Sequence, residues 1–323
     1  MKTLYLSHLA EPLPPCAATI GFFDGVHRGH QYLVANLKEH ARQLGLATMV
    51  ITFARHPRQV LHSNWQPQLL STASEKALLL EQLCIDYLVI LQFDESMAAL
   101  SAREFMNQIL FRQLHVKLLI IGYDNHFGHR PAKSVDNEVR RCEGFEDYVD
   151  YGRELGMKVF RENPLSLGDI RVSSSVVRRL LAEGDVWTAA KCLGHPYSLS
   201  GTVVQGEHVG TGIGFPTANL CPDDHCKLIP ATGAYAVTVQ LPGLLQPLHA
   251  MTNIGTRPTF DGLQLTLETH IFGFSGSLYG QLLTIHFHYR LRSEQRFESA
   301  DALTAQLRLD AAQAEELLTQ NAQ

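Results

Sequence analysis

The stretch AATIGFFDGVHRGHQYLVANLKEHARQLGLATMVITF, residues 17–53, decides the fold of the first half of the chain. Its first seven residues, 17–23, form an apolar run that predicts a buried strand. Residues 29–44 repeat apolar side chains at helical spacing and stop at Gly45, which predicts an amphipathic helix. Residues 46–53 are a second β-rich run. This strand–helix–strand order predicts parallel strands with helices on both faces of the sheet.

The alternation continues along the first half of the chain. Capping boxes at Thr72 and Ser101 predict two further helices, near residues 74–84 and 102–114. Two apolar, β-rich runs over residues 86–93 and 116–123 predict two further strands. We therefore predict an α/β domain over residues 1–184.

The pattern changes from about residue 197. Short β-rich runs then alternate with Gly, Pro and Asn turns, which predicts an antiparallel sheet or a small barrel. Residues 293–323 have a helical pattern. The second predicted domain, over residues 185–323, is therefore an antiparallel sheet or a small barrel with a C-terminal helix.

Composition restricts the class of protein. The 323 residues are 45% hydrophobic and 18% charged, as in soluble globular proteins. A net charge of −5 argues against capture of nucleic acid or an anionic membrane by bulk charge. The 6 cysteines have no paired CxxC spacing, which favours a reduced compartment. Neither a signal peptide nor a membrane-spanning run is recognisable. We expect a cytoplasmic protein with small-molecule substrates and no nucleic-acid or membrane partner.

The first predicted site follows the first strand, because ligands of parallel sheets bind at the carboxyl ends of the strands. Two histidines three residues apart at the start of a helix face the same spot, and the helix N–H groups add a phosphate site. Two incidental histidines in a chain that has 16 are the alternative interpretation. The motif GFFDGVHRGH supplies the predicted nucleotide-binding residues Gly21, Phe22, Asp24, Gly25, His27 and His30.

Two polar loops follow later strands of the first half. His56 and Pro57 follow the second strand, and Asp124 and Asn125 follow the run 116–123. These loops are predicted to open on the same crevice.

A serine–arginine motif begins a helix that ends near residue 183. The hydroxyls of Ser173 and Ser174, the helix amides and the Arg178 guanidinium suit a triphosphate. Ordinary serine capping is the alternative interpretation.

The second half has a glycine-rich loop that ends in hard oxygen donors. Glycines let the backbone approach a ligand closely, and the hydroxyl and carboxamide that follow are suited to Mg²⁺. The loop lacks the Gly-Lys-Ser/Thr of a Walker motif, and a tight turn between strands is the alternative interpretation. The predicted residues are Gly210, Gly212, Gly214, Pro216, Thr217 and Asn219.

The run LQLTLETHIF, residues 263–272, alternates strictly, with Glu268 on its polar face. A carboxylate on such a face is ordinarily only solvated. If that face meets the glycine-rich loop, however, Glu268 becomes the general base that a kinase acting on an alcohol needs.

Taken together, the motifs resemble the bacterial bifunctional riboflavin kinase/FAD synthetase family, in order from about residue 19 to 310. The first half is similar to the FMN adenylyltransferase module, and the second half to the flavokinase module. The motifs that carry the resemblance are GFFDGVHRGH (21–30), TFARHP (52–57), IGYDNHFG (121–128), the serine–arginine motif (173–178), GIGFPTANL (212–220), GAYAV (233–237), NIGTRPTF (253–260), LETHIF (267–272) and LYG (278–280).

The resemblance implies an α/β Rossmann-like domain of the nucleotidyltransferase type followed by an antiparallel six-stranded flavokinase barrel. We expect a monomer or weak homo-oligomer. Riboflavin and ATP would give FMN and ADP, and FMN and ATP would give FAD and pyrophosphate, with Mg²⁺ as cofactor. It assigns His27 and His30 to the ATP phosphates, Thr217 and Asn219 to the metal, and Glu268 to base catalysis. It assigns flavin binding to His56, Pro57 and Asn125 in the first half and to Asn253, Gly255, Arg257 and Arg292 in the second.

Two positions depart from the family pattern. Thr211 stands where bacterial members usually carry an arginine or lysine, and Asn125 stands where an aromatic residue is usual. A protein with only one of the two activities is therefore the nearest alternative. A non-catalytic flavin sensor is a second alternative, against which the presence of Glu268, Thr217 and Asn219 speaks. The net charge of −5 disfavours a nucleic-acid adaptor.

Overall fold

The structure is a computed structural model that describes residues 1–6, 12–56, 59, 66, 68–123, 125, 127–128, 143–206, 209–259 and 262–320, with backbone only at 209, 211, 257–259 and 262–264. The chain forms two compact units, Met1–Pro67 with Ser71–Val172, and Gln68–Leu70 with Ser173–Gln323. The predicted domain boundary between residues 184 and 185 stays a prediction.

The first unit contains a six-stranded sheet in which all neighbouring strands are parallel, in the order β1-β4-β3-β2-β5-β6. The strands are β1 (Lys2–Tyr5), β2 (Cys16–Ile20), β3 (Ala47–Phe53), β4 (Tyr87–Leu91), β5 (Val116–Ile121) and β6 (Lys158–Arg161). A short hairpin of β7 (Ser166–Leu167) and β8 (Ile170–Arg171) follows. The predicted α/β architecture is confirmed.

Alternating side chains of the central strands supply two cores, one on each face of the sheet. Ala17 and Val50 pack with the helix Arg28–Leu44 on one face, while Ala18 and Met49 pack on the other face with a π-helix and with the helix Phe145–Leu155. The helices are α1 (Arg28–Leu44), α2 (Ala73–Glu81), α3 (Glu95–Ala98), α4 (Ala102–Phe105), the π-helix Met106–Gln113 and α5 (Phe145–Leu155). Because both faces are covered, the buried strands read as continuous apolar runs.

The connections diverge at the centre of this sheet. The chain leaves β2 for β3 on one side, whereas it leaves β5 for β6 on the other side. The crevice beyond the carboxyl ends of β2 and β5 is therefore a topological switch point, where α/β sheets bind ligands.

The second unit contains a closed antiparallel barrel in the order β10-β13-β12-β11-β14-β9. Its strands are β9 (Tyr197–Val204), β10 (Ala218–Pro222), β11 (Gly233–Gln240), β12 (Leu248–Thr259), β13 (Gly262–Ile271) and β14 (Leu282–Arg292). The six-stranded barrel is confirmed. β10, which contains Asn219, was not among the strands predicted from periodicity, because five residues beside a glycine-rich loop carry too weak a signal.

The barrel interior is filled by every second side chain. On β13, Leu267, Thr269 and Ile271 are buried, and Thr269 exchanges a hydroxyl hydrogen bond of 2.8 Å with Thr252 of β12. Glu268 and His270 therefore lie on the outer face, as the alternation predicts.

Helices of the second unit lie outside the barrel. They are α6 (Ser174–Glu183), α7 (Val186–Leu193), α8 (Val209–Gly212) and the C-terminal helix α9 (Ala300–Gln320). Ala314 and Leu318 of α9 pack against Ala236 and Met251. In the described part of the chain, no helix is both long and apolar enough to span a bilayer.

Candidate functional site

The loop after β2 is closed by a buried acidic residue. Asp24 is buried, and its carboxylate accepts a hydrogen bond of 3.0 Å from the Ser71 backbone N–H. The Ser71 hydroxyl in turn accepts a bond of 2.9 Å from the Gly25 N–H. These hydrogen bonds hold the loop in its conformation. The predicted role of Asp24 in nucleotide binding stays a prediction.

His27 and His30 lie against each other at the start of α1. Their rings stack with centroids 3.6 Å apart at an angle of 16°, and His27 Nδ1 accepts a 3.3 Å bond from the His30 N–H. Burial, together with the charges of His27 and Lys76, holds the pKa of His30 well below its usual range. His30 Nδ1 is buried with no hydrogen-bond partner among the described residues. The site therefore presents a neutral His30 at neutral pH.

Lys76 of α2 lies beneath this loop and was not predicted as a site residue. Its side chain is 5% exposed, and its ammonium donates to the Phe22 carbonyl, the Thr52 hydroxyl and the Phe53 carbonyl at 3.0, 3.2 and 3.4 Å. A lysine in the first turns of a helix that begins with a capping box is expected at the surface. Nothing in the neighbouring sequence therefore indicates that Lys76 is buried. A lysine buried at the strand ends needs these acceptors.

Aromatic and amide groups line the remaining strand ends. The His56 ring packs edge-on against Phe22, with centroids 4.6 Å apart. Asn125, which follows β5, donates its side-chain amide to the Ile20 carbonyl at the end of β2, across the switch-point crevice. Pro57 and Asp124, also predicted site residues, lie outside the described residues.

The serine–arginine motif begins α6 in the second unit. Ser173 is the N-cap, and its hydroxyl accepts a 3.3 Å bond from the Val176 N–H. Ser174 is the first residue of the helix, and Arg178 Nε donates to the Gln68 carbonyl at 2.7 Å. Serine capping is thus present, and participation of the motif in a nucleotide site stays a prediction.

The glycine-rich loop turns back on itself before β10. The Phe215 N–H donates to the Gly210 carbonyl at 2.8 Å, and a Cβ at Gly210 would lie 2.2 Å from the Phe215 carbonyl oxygen and 3.5 Å from Thr217 Oγ1. Only glycine permits this approach. In the same region, a Cβ at Gly206 would lie 2.1 Å from the Asn219 amide nitrogen. The backbone therefore closes tightly around both predicted metal ligands.

Asn219, Glu268 and Asn253 form one row across three adjacent strands of the barrel. Asn219 pairs with Glu268 between β10 and β13, and Glu268 pairs with Asn253 between β13 and β12. Directly paired residues of antiparallel strands place their side chains on the same face. The predicted base therefore lies between a predicted metal ligand and a predicted flavin ligand.

His270 holds the glycine-rich loop against this row and was not predicted as a site residue. Its Nδ1 bonds the Pro216 carbonyl at 2.8 Å, and its ring lies edge-on to Phe215 at 5.1 Å. Beside the loop is a cavity of about 260 Å³, lined in part by Thr217, Thr269 and Tyr279. The loop borders this cavity, whose lining residues on β13, Thr269 and Ile271, alternate with Glu268 and His270 of the outer face.

The remaining predicted flavin residues have different surroundings. A Cβ at Gly255 would lie 3.0 Å from Glu294 Oε1. The same oxygen accepts a hydrogen bond of 3.1 Å from the Thr256 N–H. Arg292 forms a two-point ion pair with Asp310 of α9, with N–O distances of 2.9 Å from both Nε and Nη2 to Oδ2. The Arg257 side chain lies outside the described residues.

Comparison with known proteins assigns each half to a family. Residues 10–176 match the FAD synthetase family, and residues 193–318 match the riboflavin kinase family. The Escherichia coli (strain K12) bifunctional riboflavin kinase/FMN adenylyltransferase is 37% identical over 299 residues, which covers 93% of this chain and 91% of that protein. The Bacillus subtilis (strain 168) protein of the same name is 32% identical over 318 residues, with 96% of both chains covered.

A solved structure is similar over the whole chain. A Streptococcus pneumoniae protein named as a macrolide-efflux protein superposes with a TM-score of 0.85 at 29% identity, covering 97% of this chain and 98% of that one. The similarity extends over both halves of the chain. The efflux activity in the name of that protein is not attributed to this chain.

Proposed function

Because the chain belongs to the family of bifunctional riboflavin kinase/FMN adenylyltransferases, we propose that it makes FMN and then FAD. Residues 185–323 transfer the γ-phosphoryl group of ATP to riboflavin, and residues 1–184 transfer the AMP group of a second ATP to FMN. The observation that carries the kinase half is the row in which Asn219 pairs with Glu268 and Glu268 with Asn253.

In the kinase reaction, Glu268 accepts the proton of the riboflavin hydroxyl as its oxygen bonds to the γ-phosphorus and ADP leaves. Asn253, a predicted flavin ligand, pairs with Glu268 on the adjacent strand. His270 keeps the loop in place through its hydrogen bond with the Pro216 carbonyl. The loop and row position the reacting groups, which is the main protein contribution to phosphoryl transfer.

The residues present fit a magnesium ion. Thr217 and Asn219 offer a hydroxyl and a carboxamide oxygen, and the approach of Gly206 and Gly210 leaves no Cβ between backbone and donors. When bound, Mg²⁺ would neutralise charge on the ATP phosphates. Thr217 and Asn219 would hold it.

In the adenylyl transfer, a phosphate oxygen of FMN bonds to the α-phosphorus of ATP and pyrophosphate leaves. The acceptor has no proton that must be removed at neutral pH, so positioning and charge stabilisation suffice. His27 and His30, at the N-terminus of α1, supply imidazole and backbone N–H groups for that purpose. His56 and Asn125 line the crevice for the flavin.

The proposal extends to the setting of the enzyme. Its substrates are riboflavin, FMN and ATP, which are small molecules. Cysteines without paired spacing support a cytoplasmic enzyme. The enzyme works as a monomer or weak homo-oligomer.

The test is incubation of the purified chain with riboflavin, ATP and Mg²⁺, followed by chromatography of the flavins. FMN should accumulate first and FAD later, and a chelator should stop both. Supplying FMN directly separates the two activities. If no FMN forms from riboflavin the kinase half fails, and if FMN gives no FAD the adenylyltransferase half fails.

A further inference from the structure

The Lys76 ammonium joins two strand ends of the first unit. One of its acceptors, the Phe22 carbonyl, belongs to the loop between β2 and the histidine pair. The others, Thr52 Oγ1 and the Phe53 carbonyl, belong to the last two residues of β3. Thr52 also donates to the Phe22 carbonyl at 3.1 Å, so both strand ends share one hydrogen-bond network.

The same ammonium supports an aromatic surface. Lys76 Nζ lies 4.2 Å from the centroid of the Phe22 ring, and the His56 ring packs edge-on against the same ring. Cation–π attraction strengthens in a desolvated site. Lys76 thereby fixes the orientation of Phe22 as well as its backbone.

From this geometry we infer that Lys76 is a positioning residue for FAD formation, which sets the spacing of the β2 and β3 loops around the adenylyl-transfer site. The inference rests on the proposed adenylyltransferase activity. Three acceptors and the Phe22 ring already surround the buried ammonium of Lys76. Lys76 therefore acts on the reaction through the groups that it holds, and not by contact with substrate. Misplacement of reacting groups by about 1 Å lowers rates about 100-fold.

The charge of Lys76 makes this role dependent on pH. Burial lowers the pKa of Lys76 to about 8, although the nearby Asp24 carboxylate opposes the fall. Below that pH the ammonium has three protons for its three acceptors, and above it one donor is lost. The other titratable groups around it are His30, on which Lys76 acts electrostatically, His27 stacked on His30, and His56 against Phe22.

The first experiment compares Lys76→Met with a matched lysine variant, Lys38→Met. Lys38 of α1 also donates to a backbone carbonyl, that of Leu83 at 2.8 Å, away from the strand ends. We expect kcat/KM for FAD formation from FMN to fall about 100-fold in Lys76→Met and to stay unchanged in Lys38→Met. FMN formation from riboflavin, measured in the same preparations, should stay unchanged in both.

The second experiment uses the pH profile, which a purely structural role does not move. FAD formation by the parent chain should decline above about pH 8. Thr52→Val removes one acceptor of the ammonium and further disfavours its charged form, so this decline should move to lower pH. Because Thr52→Val is nearly isosteric, it tests the role even if Lys76→Met does not fold.

The outcomes separate this inference from the proposed function. If the parent chain makes no FAD, the proposed adenylyltransferase activity is wrong. If the parent makes FAD, and Lys76→Met matches it in kcat/KM or Thr52→Val leaves the pH profile in place, the positioning role of Lys76 is wrong.

Discussion

Asn219 and Glu268 lie directly opposite each other on adjacent antiparallel strands of the barrel. They are 49 positions apart in sequence (268 − 219), so their meeting depends on the register of β10 with β13. A slip of one residue would move one of the two side chains to the other face of the barrel. The paired arrangement places a predicted base beside a predicted metal ligand.

Glu268→Gln should lower FMN formation about 100- to 10,000-fold, because the amide cannot accept the hydroxyl proton. The substitution retains size, so riboflavin binding should change little. Conversion of FMN to FAD, assayed in the same sample, serves as the control. Unchanged FMN formation would show that another group is the base.

Gly210→Ala should remove most of the kinase activity, because its new Cβ would lie 2.2 Å from the Phe215 carbonyl oxygen and force the loop open. The matched control is Gly212→Ala in the same loop, where a Cβ meets nothing within 4 Å. The measurement is the KM for ATP and the kcat of FMN formation. Equal behaviour of the two variants would contradict the tight-loop account.

His30→Ala should lower FAD formation and leave FMN formation intact, the reverse of the Glu268→Gln pattern. The pKa of His30 lies well below 6.5, so the ring is already neutral above pH 6.5 and its charge does not change as pH rises. FAD formation should therefore show no loss from protonation of His30 between pH 8 and pH 6.5. A His30-dependent loss in that window, seen as a difference between parent and variant profiles, would refute the neutral assignment.

Arg292→Met should destabilise the protein by about 3–5 kcal/mol, because it leaves the Asp310 carboxylate buried without its cation. The two side chains are 17% and 3% exposed. The double variant Arg292→Met with Asp310→Leu should recover most of the loss in urea unfolding. Arg42→Met, which breaks an ion pair on the surface of α1, should leave the unfolding midpoint unchanged.

The same double variant tests the predicted flavin role of Arg292. If Arg292 binds flavin, the KM for riboflavin should remain raised after stability is recovered. A KM equal to that of the parent would assign Arg292 to the ion pair alone.

Local patterns determined the architecture from sequence alone. Apolar runs and helical periodicity predicted the parallel sheet, because burial on one or both faces leaves a period that is visible within a few residues. The change near residue 197 predicted an antiparallel sheet or a small barrel, and the structure shows that the sheet closes. The roles of the site residues are still predictions. Many of these residues lie at the ends of strands or at the start of α1, and three form the row Asn219, Glu268 and Asn253.

Only the tertiary structure decided which side chains meet. Lys76 looks like a surface lysine in its helix, and His270 like a solvated strand residue, yet one is buried under Phe22 and the other holds Pro216. Likewise Asp310 reveals its partner Arg292 only when α9 packs on the barrel. Local periodicity reports which face of an element is buried, whereas the identity of a partner depends on strand register and helix docking between distant residues.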